Sequence, residues 1–288
     1  MSAGAIAQTA AAPRRWRGMF GSRMATIGAV VLLVLVAVAI LAPLIAPHDP
    51  DAIDANRILA APNLAHPFGS DALGRDVLSR VIFAYRVSLS VAVGSVALAF
   101  VVGVPFGLLA GYHGGWIDML IMRPIDMLLA LPALLLAVAL IAILGPGSLI
   151  ALLAIAVIYT PILARVVRSS TLVVSSQTYV EGARARGASS VRILARHVLP
   201  NALGPAIVQA TVLMGFALQI EAALSFLGLG AQPPTPSLGV MLADGRDVLT
   251  RAPWAEIFPG LAIAITVLAF NLLGDGLRRR LDPRGVTE

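Results

Sequence analysis

The sequence predicts an all-α polytopic membrane protein with six transmembrane helices and both termini in the cytoplasm. Three observations predict it. Of 288 residues, 58% are hydrophobic and only 12% charged, with a mean hydropathy of +0.89, whereas a soluble domain is about a quarter charged. Charge-free stretches recur at the length of a bilayer span, about 20 residues. The remaining charges are unevenly placed. All 21 basic residues are arginine, and fifteen of them fall in segments that alternate with those holding the other six. The positive-inside rule then puts both ends of the chain in the cytoplasm.

The elements follow in order. Residues 1–23 form a cytoplasmic tail with Arg14, Arg15, Arg17 and Arg23. Met24 to Ala46 is the first span. At 23 residues it exceeds the ~7–15 of a signal-peptide core and reads as an uncleaved anchor. Pro47 to Val87 lies outside. From Asp71 onward it predicts an interfacial helix, because Val77, Leu78, Val81, Ile82 and Tyr85 recur at helical spacing. Residues 24–87 are thus a first unit, and Ser88–Gly111 is the second span. Met127 to Ala164 is too long for one span and carries Gly145-Pro146-Gly147-Ser148 in its middle. It predicts a hairpin of spans, Ile125–Leu144 and Leu149–Val166. A cytoplasmic loop over 165–200 follows. Val198–Leu229 and Ile257–Gly274 complete the six, joined outside by the proline-rich segment Gly228–Trp254. Residues 88–277 make a five-helix core, and 278–288 a cytoplasmic tail headed by Arg278–Arg280. Pro105, Pro132 and Pro161 fall inside spans and read as local kinks.

Several function classes are excluded. Without cysteine there is no disulfide, thiolate metal site or cysteine nucleophile. Without lysine there is no Walker A loop and no Schiff base. His48, His66, His113 and His197 lie in four segments at no ligand spacing, so no metal site is expected. A membrane-embedded enzyme needs a constellation such as H-E-x-x-H, G-x-S-x-G or paired aspartates within spans, and none occurs. A secondary transporter usually shows matching halves and intramembrane charges for ion coupling, and neither is evident. The arginines are accounted for by topology, which argues against a nucleic-acid partner.

The 165–200 loop carries the most information. Thr178-Tyr179-Val180-Glu181 matches a T-x-x-E capping box, and Gly187 supplies a left-handed stop. Between them lies a helix of little more than two turns. A second short helix is expected from Ser190 to just before Pro200. A helix this short is marginal in water, so it needs packing, and it suits docking to a partner. The same residues are equally readable as a cap, a stop and a positive-inside patch. Glu221 is the one acidic residue deep in a predicted span. It reads either as a carboxylate on a translocation path or as one, paired with a neighbouring arginine or protonated, that holds two helices together. Asn271 and Asp275 mark the inner end of the last span. Asp118, Arg123 and Asp126 are expected to pair on one helix face.

At this loop the sequence resembles the membrane subunits of bacterial ABC importers. Their pattern of E-A-A, three residues, Gly, nine residues and Ile-x-Leu-Pro is matched by Glu181, Ala183, Gly187, Leu199 and Pro200, with Gly182 in place of the middle alanine and His197 in place of the isoleucine. A glycine within a helix costs about 1 kcal/mol relative to alanine. The stretches HPFGSDALGRDVLSR, EAALSFLGLGAQPPTPSLG and FNLLGDGLRRRLDPR resemble the oligopeptide/dipeptide/nickel branch, and within it the second, C-type permease. The resemblance implies a type I ABC importer permease-like fold in a bacterial or archaeal cytoplasmic membrane. It implies a coupling helix made by Thr178, Tyr179, Val180, Glu181, Gly182, Ala183, Arg184, Ala185, Arg186 and Gly187, with Leu199 and Pro200. Glu221 and Asn271 are the candidates for the translocation path. The implied partners are a second permease chain, cytoplasmic ABC ATPases, an extracytoplasmic solute-binding protein and membrane lipid. ATP would be bound by those ATPases, so this chain is expected to be no enzyme and to hold no cofactor. The solute stays open among dipeptides, oligopeptides and a nickel complex.

Overall fold

The computed structural model describes residues 23–281. Arg14, Arg15 and Arg17 of the expected N-terminal tail, and Arg284 of the C-terminal one, lie outside the described residues. Ten helices are described: α1 Arg23–Ile45, α2 Val77–His113, α3 Gly115–Leu129, α4 Ala133–Leu144, α5 Ser148–Ser175, α6 Thr178–Ala185, α7 Ser190–Ile193, α8 Leu199–Phe226, α9 Leu238–Arg246 and α10 Trp254–Leu281. Five stretches are long and apolar enough to cross a membrane as single helices, and α3 with α4 make a sixth that is sharply bent. With α3 and α4 counted as one span, six crossings return the chain to the side on which it began, as the arginine placement requires.

The core is built around α2, α5 and α8. Val96, Ile155, Leu163 and Leu218 are buried among them, with Ile141 of α4 packed on one side. A second cluster joins α1, α2, α9 and α10 through Leu32, Val81, Tyr85, Met241 and Phe270. The tightest seam is between α2 and α5. Gly103, Gly107 and Gly111 recur every fourth residue on α2, and a β-carbon on them would run into the carbonyl oxygens of Thr160, Ala164 and Arg168. In a membrane there is no hydrophobic drive for helices to associate, so close backbone approach through small residues has to supply the attraction.

Three predicted boundaries change. The interfacial helix and the second span are one helix, α2, of 37 residues. It measures about 55 Å at 1.5 Å per residue, longer than the ~30 Å hydrocarbon core, so its first turns stand outside. Nothing near Arg86 breaks it. Val77, Val81 and Tyr85 pack against the bundle instead of lying on the bilayer surface. The predicted span Ile125–Leu144 is broken instead of kinked: α3 and α4 meet at 95°. Pro132 (φ −58°, ψ 126°) leaves the helix, because proline lacks an N–H and disfavours α geometry in the residue before it. α3 is also pinned. Arg168 of α5 grips Asp118 with two bonds of 2.5 and 2.6 Å, and Arg165 holds Asp126 at 2.6 Å. The expected pairing within one helix face is therefore replaced by pairing across to α5. Third, the outside segment Gly228–Trp254 contains α9. The run of prolines before α9 ends at Pro236, and Ser237 caps α9 by accepting the Val240 amide at 3.2 Å.

A bulkier residue in the α2–α5 seam should separate the two helices. Gly107→Val is expected to lower the unfolding midpoint of the detergent-purified chain, at a cost of roughly 1–3 kcal/mol for overpacking. Gly182→Ala, at a site where an added β-carbon meets only the end of the Arg186 side chain at 3.5 Å, should not lower it. A thermal melt of both variants checks this, and a native midpoint for Gly107→Val would contradict it.

Candidate functional site

α5 ends at Ser175, and after two linking residues the chain starts α6 at Thr178. The capping box is not formed. Gln177, not Thr178, is the N-cap (φ −79°, ψ 142°), and no side chain caps the helix. Thr178 is already helical, so its hydroxyl cannot sit where a cap must. The Val180 and Glu181 amides bond instead to the Gln177 carbonyl, at 2.9 and 3.2 Å. At the other end Gly187 has φ +79°. Its amide reaches the Arg184 carbonyl at 2.9 Å, and the Ala188 amide reaches that of Ala183 at 3.1 Å. This pair of bonds is a Schellman stop, which needs the left-handed conformation that glycine adopts freely.

α6 is two-faced. Val180 and Ala183 are buried in a small cluster with Leu108 and Tyr112 of α2, Val174 of α5, and Ile193 and Val198 beyond the loop. Tyr179 is 47% exposed, and Glu181, Arg184, Ala185, Arg186 and Gly187 are exposed too. Arg184 lays its guanidinium over the Tyr112 ring, 5.0 Å from its centre. Tyr179 leans toward His197, with ring centres 6.2 Å apart.

Leu199 and Pro200 do not end a second short helix, as the sequence led us to expect. α7 passes through one wide turn, Leu194–Val198, into α8 without a break. The Leu199 amide bonds to Leu194, five residues back. Such a π turn is one way a helix absorbs a proline that cannot donate. The Asn201 side chain bonds to the His197 carbonyl at 2.7 Å.

Glu221 is 1% exposed and lies inside the subunit. Its partner is a serine, not an arginine: Ser225 Oγ donates to its Oε1 at 2.8 Å. The hydroxyls of Ser88 on α2 and Ser237 before α9 face the same carboxylate. Each of the three serines also accepts a backbone amide: Ser88 from Leu238, Ser225 from Ala231 and Ser237 from Val240. Glu221 therefore sits where α2, α8 and the start of α9 meet. Asn271 is exposed, on the side of α10 that faces Gly215 of α8. The two path candidates are not brought together.

At the outer end the fold assembles groups that the sequence scatters. Asp76 caps α2, accepting the Ser79 amide at 2.8 Å and its hydroxyl at 2.7 Å. Its other oxygen is 2.8 Å from His66 Nδ1. Arg57 Nη1 lies 2.5 Å from His66 Nε2. Arginine can only donate, so His66 carries its proton on Nδ1 and gives it to Asp76. Burial pushes the Asp76 carboxyl up, but the Ser79 hydroxyl and amide, His66 and the nearby His48 outweigh it, and the group titrates below its usual 3.8. His48 Nδ1 stands 3.8 Å from Asp76 and has no hydrogen-bond partner. Two histidines and a carboxylate this close are a candidate ligand set. The rings, however, are stacked at 4.4 Å and 25°, so a cation cannot lie in the plane of both, and Arg57 occupies the far nitrogen of one.

Beside this cluster Arg80, 2% exposed, lies between Asp71 at 3.6 Å and Asp244 of α9 at 3.8 Å. Arg75 bonds to Asp71 at 2.7 Å and to Asp244 at 3.3 Å. Together these groups stitch residues 46–76 onto α2 and α9. The sequence offered one signal for them, the density of charged and turn residues in HPFGSDALGRDVLSR.

Comparison with known proteins agrees with this architecture. The family model described as binding-protein-dependent transport system inner membrane component matches residues 103–285. The N-terminal TM domain of oligopeptide transport permease C matches residues 14–62. A dipeptide transport system permease protein of Alkalihalophilus pseudofirmus is 43% identical over 96% of this chain and 91% of its own length. A glutathione transport system permease protein of Escherichia coli is 47% identical over 93% and 89%. Among solved structures, an inward-facing MetNI methionine ABC transporter chain aligns with a TM-score of 0.59 at 20% identity, covering 70% of this chain and 96% of that one.

Two substitutions test these buried groups. Asp76→Ala removes an N-cap, at about 1 kcal/mol, and leaves the His66 proton without its acceptor. It should lower the unfolding midpoint at pH 7. Because folding depresses this carboxyl, its contribution is complete above the unfolded value near 3.8 and is lost as pH falls through the lower folded value. The gap between variant and parent should therefore close in acid below pH 3.8. Glu221→Gln keeps a carbonyl oxygen for Ser225 and should fold and assemble. Normal uptake of solute by that variant would remove any role on the path that needs a charge.

Proposed function

The chain belongs to the family of binding-protein-dependent transport system inner membrane components, as a permease subunit of an ABC importer in the cytoplasmic membrane, and from that premise we propose how it is driven and what it carries. α6 is the coupling element, seated in a cleft of a separate ATP-hydrolysing subunit. Within Thr178 through Gly187 the outward side chains make the contact while Val180 and Ala183 seat the helix, and Leu199 and Pro200 anchor the return of the chain. One observation carries this reading: α6 buries only Val180 and Ala183 against its own bundle and leaves Thr178, Tyr179, Glu181 and Arg184 to Gly187 exposed. A helix of eight residues has too little packing of its own to be there for stability.

ATP binding and hydrolysis then take place on the partner, because this chain has no lysine for a Walker A loop. A partner of this kind shifts the bundle between inward- and outward-open states only if it binds one of them more tightly. A second, different permease chain completes the pore, and a solute-binding protein delivers the solute outside. The solute is a short peptide. The 43% and 47% identical relatives are named for dipeptides and for glutathione, itself a tripeptide. On the path, Asn271 is exposed and available to solute, whereas Glu221 is enclosed and acts through the segment it ties down.

The decisive experiment changes α6 without touching the spans. Gly187→Pro forbids the φ of +79°, and Glu181→Lys reverses the charge on the outward face. Each is expected to abolish ATP-dependent uptake of labelled dialanine or glutathione and to weaken co-purification of the ATPase, with the chain still inserted. Uptake by the parent should stop with vanadate and not with an uncoupler. Undiminished uptake by both variants would refute the coupling assignment.

A further inference from the structure

We propose that Tyr112, at the inner end of α2, is the positioning residue through which α6 moves the α2–α5 pair; this rests on α6 being the ATPase-docking element. A push on α6 leaves it only through what it touches. Its two buried side chains meet Leu108 and Tyr112 of α2, Val174 of α5 and the turn leading into α8. Tyr112 differs from the other receivers in making a second, directional contact. The Arg184 guanidinium lies over its ring at 5.0 Å, so the ring is held between the apolar side of α6 and a charge from α6's last turn. A cation over an aromatic face is attracted by the ring quadrupole, and the attraction falls away when the ring slides from beneath it. Displacement of α6 in the plane of the membrane is thereby resisted at Tyr112, where aliphatic contact alone would let it slip. Arg184, exposed at the end of α6, then also acts as a strut within the subunit.

What Tyr112 receives is rigid. One residue before it, Gly111 lies against the Arg168 carbonyl, where a β-carbon would come within 2.7 Å, and the same seam continues through Gly107 and Gly103. Arg168 is itself fixed by Asp118 of α3. A displacement of Tyr112 is carried by α2 along its 37 residues to the outer cluster of Asp76 and Arg80. Leu108, the other α2 residue in the cluster, has no ring to hold the arginine. α8 receives its share through the wide turn at Leu194–Val198, the less regular of the two routes.

The chain carries no cysteine, so Leu73→Cys places one spin label on an exposed outer position beside α2, and a second label is carried on the outer face of the second permease chain. The assembled importer, with its ATPases and second permease, is reconstituted in proteoliposomes. The label separation is measured without nucleotide and after vanadate trapping. Tyr112→Leu keeps apolar volume and removes the ring; Tyr112→Phe keeps the ring. Tyr112→Leu should co-purify the ATPase at the parent's level and still hydrolyse ATP, while the fraction of molecules that change separation falls about fivefold. Tyr112→Phe should restore it, and Arg184→Met, which leaves the packing alone, should reduce it about twofold. An unchanged nucleotide-driven shift in Tyr112→Leu overturns the proposal. So does loss of ATPase co-purification in that variant, because Tyr112 would then hold the docking itself. Failure of the parent chain to co-purify any ATPase would instead count against α6 as the docking element.

Discussion

The seam between α2 and α5 is the constraint on which the rest of the molecule depends. Three glycines on one helix face let two backbones approach to a distance that no side chain on α2 would permit. Lipid gives helices no hydrophobic reason to associate, so attraction must come from dispersion at close range and from polar pairs. The other elements are hung from this pair. α3 is clipped to α5 by Arg165 and Arg168. α6 rests on the inner ends of both, and α9 is tied to the outer end of α2 through Asp244 and through the amide of Leu238 on Ser88.

Charge is spent at the two ends of this seam and nearly withheld between them. The inner end holds two cross-helix ion pairs. The outer end holds the Asp71–Arg75–Arg80–Asp244 network and the Asp76 cap. Arg80 and Asp71 are buried, and burying an ion pair costs desolvation that its attraction only partly offsets, while the exposed Arg165–Asp126 pair is worth little, so both are better explained as fixing geometry than as adding stability. Breaking the buried pair is costly because it strands the other charge. Between the ends, Glu221 is the exception. It is surrounded by hydroxyls that are each satisfied by an amide on one side and turned toward the carboxylate on the other.

Much of this was legible in the sequence. The number of spans, their order and the alternation of arginines follow from hydropathy and charge alone, and Gly187 announced its own left-handed turn. What escaped depended on residues far apart in the chain. The sharp break at Pro132 needed Asp118 and Asp126 to be held by arginines some 40 to 50 positions later. The same proline chemistry at Pro105 and Pro161, in helices packed along their length, broke nothing. Asp76 meets His48 and His66 only because the outer segment folds back on α2. The capping box failed by one residue: the helix started at Thr178 instead of after it, and a cap motif has no say over where the preceding turn delivers the chain.

A transmission element must be firm in direction and weak in total hold. Were α6 packed as tightly as α2 against α5, it could not be repositioned by a partner at any reasonable cost. Were it loose, a partner's push would dissipate in its own motion. The structure divides the two requirements. Only two small apolar side chains, Val180 and Ala183, tether α6, and the Gly187 stop limits its length, so the hold is weak. Direction comes from the ring of Tyr112 beneath Arg184 and from the rigid pair behind it. A ligand can shift an equilibrium between two states by no more than its difference in affinity for them. A few kilocalories of such a difference, delivered at one stiff point, are enough to invert the populations of a bistable bundle, whereas the same energy spread over a compliant surface would be lost in local rearrangement.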